Sequence, residues 1–133
     1  MPSILVHLGV IDLSKSTTHG LHTIFAGAVD EAKLNSLLNL PESSETKPKN
    51  VHPMEGPVLT EEQSYILRAA ALDACERIIQ VARTLDEDGL HMDQKWIRNI
   101  TLPELDLWLW AVAKDRTDYR ELERFVERDT VFF

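Results

Sequence analysis

The chain has 133 residues, 44% of them apolar, which is one domain's worth of sequence with enough aliphatic material for a real core. Fourteen basic residues set against 22 acidic ones give a net charge of −8, so neutralising a nucleic-acid backbone is excluded as its main business. The single cysteine, Cys75, cannot form an internal disulfide, and no stretch reaches the roughly 18 apolar residues of a membrane span. The first residues, Met1 to Leu8, lack the basic flank of a signal peptide, and the expectation is a soluble, cytoplasmic protein.

Ile4 to Leu13 is an apolar run broken by His7 and Gly9, and its period fits either a strand or a short buried helix. From Leu21 to Leu40 the apolar positions recur mostly three and four apart, which predicts one helix or two short ones. Residues 41–57 then collect Pro, Ser, Glu, Lys and Asn, the composition of an exposed, disordered internal linker. Thr60 with Gln63 three residues later has the order of a capping box, so a helix is expected to start there, with Gly89 as its stop after an acidic run. Met92 to Ile100 fits a further short helix. Thr101 repeats the cap, with Glu104 at the third helical position and Pro103 in the first turn, where its missing N–H costs nothing. The helix that follows, Leu102 to Lys114, is apolar on all sides and calls for neighbours that cover it. Tyr119 to Arg128 reads as a charge-laced helix, and Val131, Phe132 and Phe133 as apolar residues tucked against the body. The fold class is therefore all-α, a single helical domain or domain fragment over residues 1–133.

Few residues announce chemistry. Asp106 is the one charge inside the Leu105 to Ala113 run, where an unpartnered buried carboxylate would cost several kcal/mol. It either lies near the helix start, wetted and favoured by the dipole, or points into a pocket and accepts hydrogen bonds from a polar ligand. His19 and His22, with Asp12 or Asp30, lack the third partner at fixed spacing that a metal site needs. His7 reads as a hydrogen-bonded core histidine and Cys75 as packing. Arg68 and Glu76, eight apart on one helix, read as ion-pairing or solvated side chains. Trp96, Trp108 and Trp110 are most simply core, although rings around Asp106 equally suit stacking on a flat heterocycle.

The order of segments adds to this reading. Pro2 to Gly9, a Leu-rich helix, Ile66 to Ala70 leading to Ala74 to Ile79, then Leu105-Asp106-Leu107-Trp108-Leu109-Trp110 with Ala113-Lys114 and an aromatic C-terminus, together resemble the last third of the queuosine salvage protein family. The family's members are queuosine 5′-phosphate N-glycosylase/hydrolases, which release queuine for salvage into tRNA modification. The resemblance implies the C-terminal part of a helical, DNA-glycosylase-like fold. It places Asp106 at the aspartate that contacts the queuine base and Leu107 at the aromatic residue after it, while Ala111 stands where the family has a second aspartate. Ser64, Ile66 and the stretch Val126 to Asp129 depart from the family pattern as well.

The family's catalytic aspartate belongs to an Asp-Tyr-Arg motif that would fall just before Met1. The resemblance thus implies a truncated form that carries no catalytic residue of its own and turns over weakly or not at all. The base itself is a 7-deazaguanine whose ring N–H and exocyclic amine present two parallel donors, and a carboxylate accepts both. The cationic amine on its cyclopentene-diol arm is the competing contact for Asp106. The implied partner is queuosine 5′-phosphate or free queuine, with no direct nucleic-acid contact, no metal or organic cofactor, and self-association where a truncated edge is left bare. The reading from another class is a non-catalytic, acidic helical module that docks a protein on Leu107, Trp108, Phe132 and Phe133.

Overall fold

The computed structural model describes residues 2–24, 30–39, 55–86 and 89–127. Five α-helices run in the order α1 (Pro2–His7), α2 (Glu31–Asn39), α3 (Glu61–Thr84), α4 (Leu102–Asp115) and α5 (Thr117–Arg120), and two 3₁₀ segments occupy Leu21–Thr23 and Met92–Asn99. Two short strands, β1 (Glu55–Leu59) and β2 (Arg124–Glu127), pair in parallel. The described residues are mostly helical, as expected of the all-α class, with one small sheet among them.

Pro2 opens α1 at a position that needs no N–H donor. The helix ends in a Schellman motif: Val10 N–H reaches Leu5 O at 2.9 Å and Gly9 N–H reaches Val6 O at 3.0 Å. Gly9 takes the left-handed conformation that the motif requires, at φ 69°. The choice left open between strand and helix is settled for helix by this turn. Ile4, Leu5, Val6 and His7 are all buried.

Helix α3 is the spine. Its capping box is formed as expected, with Thr60 N–H donating to Gln63 Oε1 at 3.0 Å and Gln63 N–H to Thr60 Oγ1 at 3.2 Å. Leu67, Ala71, Ala74, Cys75, Ile79 and Ala82 form its buried stripe, and the small alanines let α1, α4 and the Met92–Asn99 segment pack against it. The helix stops at Thr84, earlier than Gly89, because Asp86 and the acids after it would oppose the negative end of the helix dipole.

Two sequence expectations are corrected here. Residues 55–57 belong to β1 and not to a linker, whose remainder, 41–54, lies outside the described residues. The stretch from Tyr119 is not one charged helix: α5 ends at Arg120, Leu122 is buried, and β2 follows. Its partner strand lies more than sixty positions away, so local charge spacing carried no sign of the pairing. The register, Glu55 opposite Arg124 and Val58 opposite Val126, contains one extra residue in β1 at Gly56-Pro57, where a proline without an N–H is tolerated. Of the Leu21 to Leu40 stretch, expected as one helix or two short ones, the described parts are the Leu21–Thr23 turn and α2, two separate elements. The terminal residues Val131, Phe132 and Phe133 lie outside the described residues.

Side chains tie distant segments together. His7 Nε2 lies 2.9 Å from Glu123 O, binding α1 to the approach of β2. Glu127 on β2 accepts from Ser64 Oγ at 2.9 Å and Arg68 Nη2 at 2.6 Å, both on α3. Arg116 donates to Leu37 O at 2.8 Å and pairs with Asp118 at 2.6 Å, holding α2 near the end of α4. Gln63 Nε2 donates to His19 O at 2.8 Å. No helix among the described residues is long and apolar enough to cross a membrane.

Candidate functional site

Helix α4 carries the residues that the sequence singles out. Its start is set by Thr101, whose N–H and hydroxyl both donate to Glu104 Oε2, at 2.8 and 2.7 Å. These two bonds hold the Glu104 carboxyl below its ordinary pKa, the hydroxyl bond foremost. Leu105, Leu109 and Ala113 face α3 and are buried, with Leu102 and Val112 packed beside them.

The rest of the helix is uncovered. Leu107 is 65% exposed, Trp108 48% and Trp110 53%, which corrects the expectation that neighbours enclose α4 and that these tryptophans are core. Trp96, on the Met92–Asn99 segment, is likewise exposed. The physical reason is that only one face of α4 meets α3, so the apolar residues pointing the other way have nothing to cover them among the described residues.

Asp106 is exposed on the second turn of α4. Glu104, two residues nearer the cap, takes the capping role, so Asp106 is free of that duty. It lies close enough to the α3 contact for its charge to act on Cys75: burial first, and then the Asp106 carboxylate, push the buried thiol up from its ordinary pKa. That shift makes Cys75 a poor nucleophile, in agreement with its reading as packing. Leu107 follows Asp106 on the outward side.

Positions 106, 110 and 114 recur at intervals of four, so Asp106, Trp110 and Lys114 form one row along the helix surface. The Lys114 ammonium stands 4.8 Å from the centroid of the Trp110 ring. A carboxylate, an indole and an ammonium on successive turns can accept donors from a heterocycle's edge, stack on its face and offset its charge. Lys114 enters the sequence reading only through the order of segments and is given no contact there, yet the spacing of four is the signal that could have found one.

Two concave regions lie elsewhere. A groove of about 560 Å³ runs between Val10-Ile11 and α3, lined by Ala70, Ala74, Ile78 and Val81, with the Asp73–Arg77 ion pair, at 3.0 Å, among its walls. A shallower hollow of about 540 Å³ is bounded by His19, Glu61, Glu62, Tyr65 and Ile66, with His19 Nδ1 at 3.5 Å from Glu62. Asp106 lines neither.

Among the described residues the histidines are not gathered. His22 Nδ1 lies 3.4 Å from Ser16 O, while Asp12 accepts from the Ser14 N–H and Asp30 from the Ala32 N–H in local turns. Among the described residues no group of three or more His, Cys, Asp or Glu side chains is arranged to hold a metal ion. His7 is buried and hydrogen-bonded in the core, and Arg68 pairs with Glu127 and not with a residue on its own helix. No family model, curated protein or solved structure matches this chain.

Proposed function

We propose that the chain supplies the base-binding wall of a queuosine 5′-phosphate N-glycosylase/hydrolase, a cytoplasmic enzyme that frees queuine for tRNA modification. Asp106 accepts the paired donors of the 7-deazaguanine edge, and Trp110, one turn on, offers its ring to the base face. The observation that carries the reading is the Asp106–Trp110 row, with Leu107 beside it: a carboxylate and aromatic surface left open within the apolar stretch Leu105 to Ala113. The order of motifs along the chain, from which Asp106 takes this role, is the other support for the reading. On this reading Asp106 recognises and does not cleave. Hydrolysis builds positive charge on the ribose as the glycosidic bond lengthens, and a second carboxylate beside the sugar is needed to stabilise it while water attacks.

The test has two parts. Queuine should raise the melting temperature of this chain, and Asp106→Asn should abolish the rise, because an amide cannot accept two parallel donors. Release of queuine from queuosine 5′-phosphate should be weak or absent with this chain and should appear in a version extended upstream through Asp-Tyr-Arg. No thermal shift together with no release by either version removes the proposal.

A second reading has its own observation. Leu107 and Trp108 expose apolar area on two sides of α4, which suits a non-catalytic, acidic module that docks a protein partner. Queuine leaves the stability of such a module unchanged.

A further inference from the structure

The row on α4 is self-complementary. Asp106 and Lys114 stand four positions either side of Trp110, and all three are exposed. A two-fold axis at the level of Trp110 therefore exchanges the acid of one copy with the base of the other. Residues four apart also form the surface ridge that the commonest helix packing, at about −50°, lays alongside its counterpart. In that antiparallel arrangement each Asp106 carboxylate meets the other copy's Lys114 ammonium, and the two indoles meet at the centre. Pro103 and Leu107, exposed on the same side, extend the apolar contact.

The geometry points to a second copy of this chain as the occupant of this row, giving a symmetric dimer paired antiparallel through Trp110. The row pairs one acid with one base, so two copies meet there without like charges opposed, while the −8 that each chain carries works against their approach. The same patch on both molecules is also what an isologous interface requires. The interface is small, one face of a 14-residue helix, so the association is weak and concentration-dependent.

This inference does not rest on the base-binding reading, and it adds a consequence to it: Asp106 cannot face Lys114 of another copy and a bound base at once, so queuine dissociates the dimer. The experiment is analytical ultracentrifugation of the whole chain from about 1 μM to about 500 μM, with circular dichroism to confirm that every variant is folded. The wild type is expected to dimerise reversibly. Asp106→Lys and Lys114→Asp should each weaken the dimer about tenfold or more, since like charges then face each other, and the double exchange Asp106→Lys with Lys114→Asp should restore it to within a few-fold. Trp110→Ala should weaken it as well. A monomeric wild type across the whole range, or a folded double exchange no tighter than the single reversals, overturns the proposal. Either result leaves the queuine thermal shift of the wild type intact as a separate reading.

Discussion

His7 makes the stability of this protein depend on pH in a stated direction. His7 is 3% exposed, and its Nε2 donates to Glu123 O at 2.9 Å, so the neutral imidazole carries its proton on Nε2. Burial is the main cause of its lowered pKa, outweighing the raising effect of the Glu123 carbonyl, and the nearby Lys33 charge lowers it further. In the unfolded chain the same side chain titrates near its ordinary value of about 6.5. Between the two values the unfolded state binds the proton and the folded state does not. Stability is then complete above pH 7 and falls as pH drops through about 6.5 toward the lowered folded value, by at most about 1.4 kcal/mol for each pH unit. For a chain of this length that slope is worth roughly 4–5 °C in melting temperature per pH unit. Urea or thermal melts at pH 7.5, 6.5 and 5.5 measure it, above the range where carboxylates protonate. In His7→Gln an uncharged amide replaces the ring. The variant should be less stable at pH 7.5 by about 1–3 kcal/mol, from the lost packing and hydrogen bond, and should show a flatter profile. A wild-type profile that is level over this range, or an equal slope in His7→Gln, refutes the assignment.

Two further outcomes test the framework around α1 and α3. Gly9→Ala forces a side chain into the left-handed conformation at φ 69°, where Leu34 Cδ2 would lie a comfortable 3.8 Å from the new Cβ. The loss, about 1 kcal/mol by chemical denaturation, should therefore come from backbone strain alone, and Gly9→Asn should cost less than Gly9→Ala. Leu67→Ala empties a site that is 1% exposed at the centre of α3 and should cost about 3 kcal/mol, or roughly 10 °C in melting temperature; a loss below about 1 kcal/mol would place Leu67 outside the core.

What was legible in the sequence was local. Thr60 and Thr101 mark helix starts because a cap is a bargain between residues three apart, and both helices begin where those residues place them. Gly9 held an equally local signal, a left-handed stop, that hydrophobic periodicity alone could not weigh against a strand. The β1–β2 pair was illegible for the opposite reason. Val58 and Val126 meet only because α3, α4 and α5 return the chain to its starting side, and Arg124 to Glu127 has no alternation long enough to read. The site divides along the same line. That Asp106, Trp110 and Lys114 share a row follows from spacing, whereas the exposure of Leu107, Trp108 and Trp110 depends on which elements reach α4, which no count along the helix reveals.

An exposed carboxylate discriminates poorly, because water offers it donors as good as those of any base. A hydrogen bond exchanged with water is worth only about 0.5–1.5 kcal/mol, while a buried acceptor left facing the wrong group loses the full desolvation penalty. Asp106 can therefore select a donor pattern only if binding itself removes water from it. Trp110 is the group placed to do this: it lies one turn away on the same row, and a heterocycle stacked on its ring would cover the carboxylate's open side. On the proposed base-binding role, Trp110→Ala should accordingly lower queuine affinity by about tenfold or more, and should also narrow the preference for queuine over a purine analogue with acceptors in place of those donors. Calorimetric titration of both ligands against both proteins separates the two effects. If the preference survives intact while affinity falls, the indole serves only as an adhesive surface, and the selectivity of Asp106 arises from some other source of dehydration.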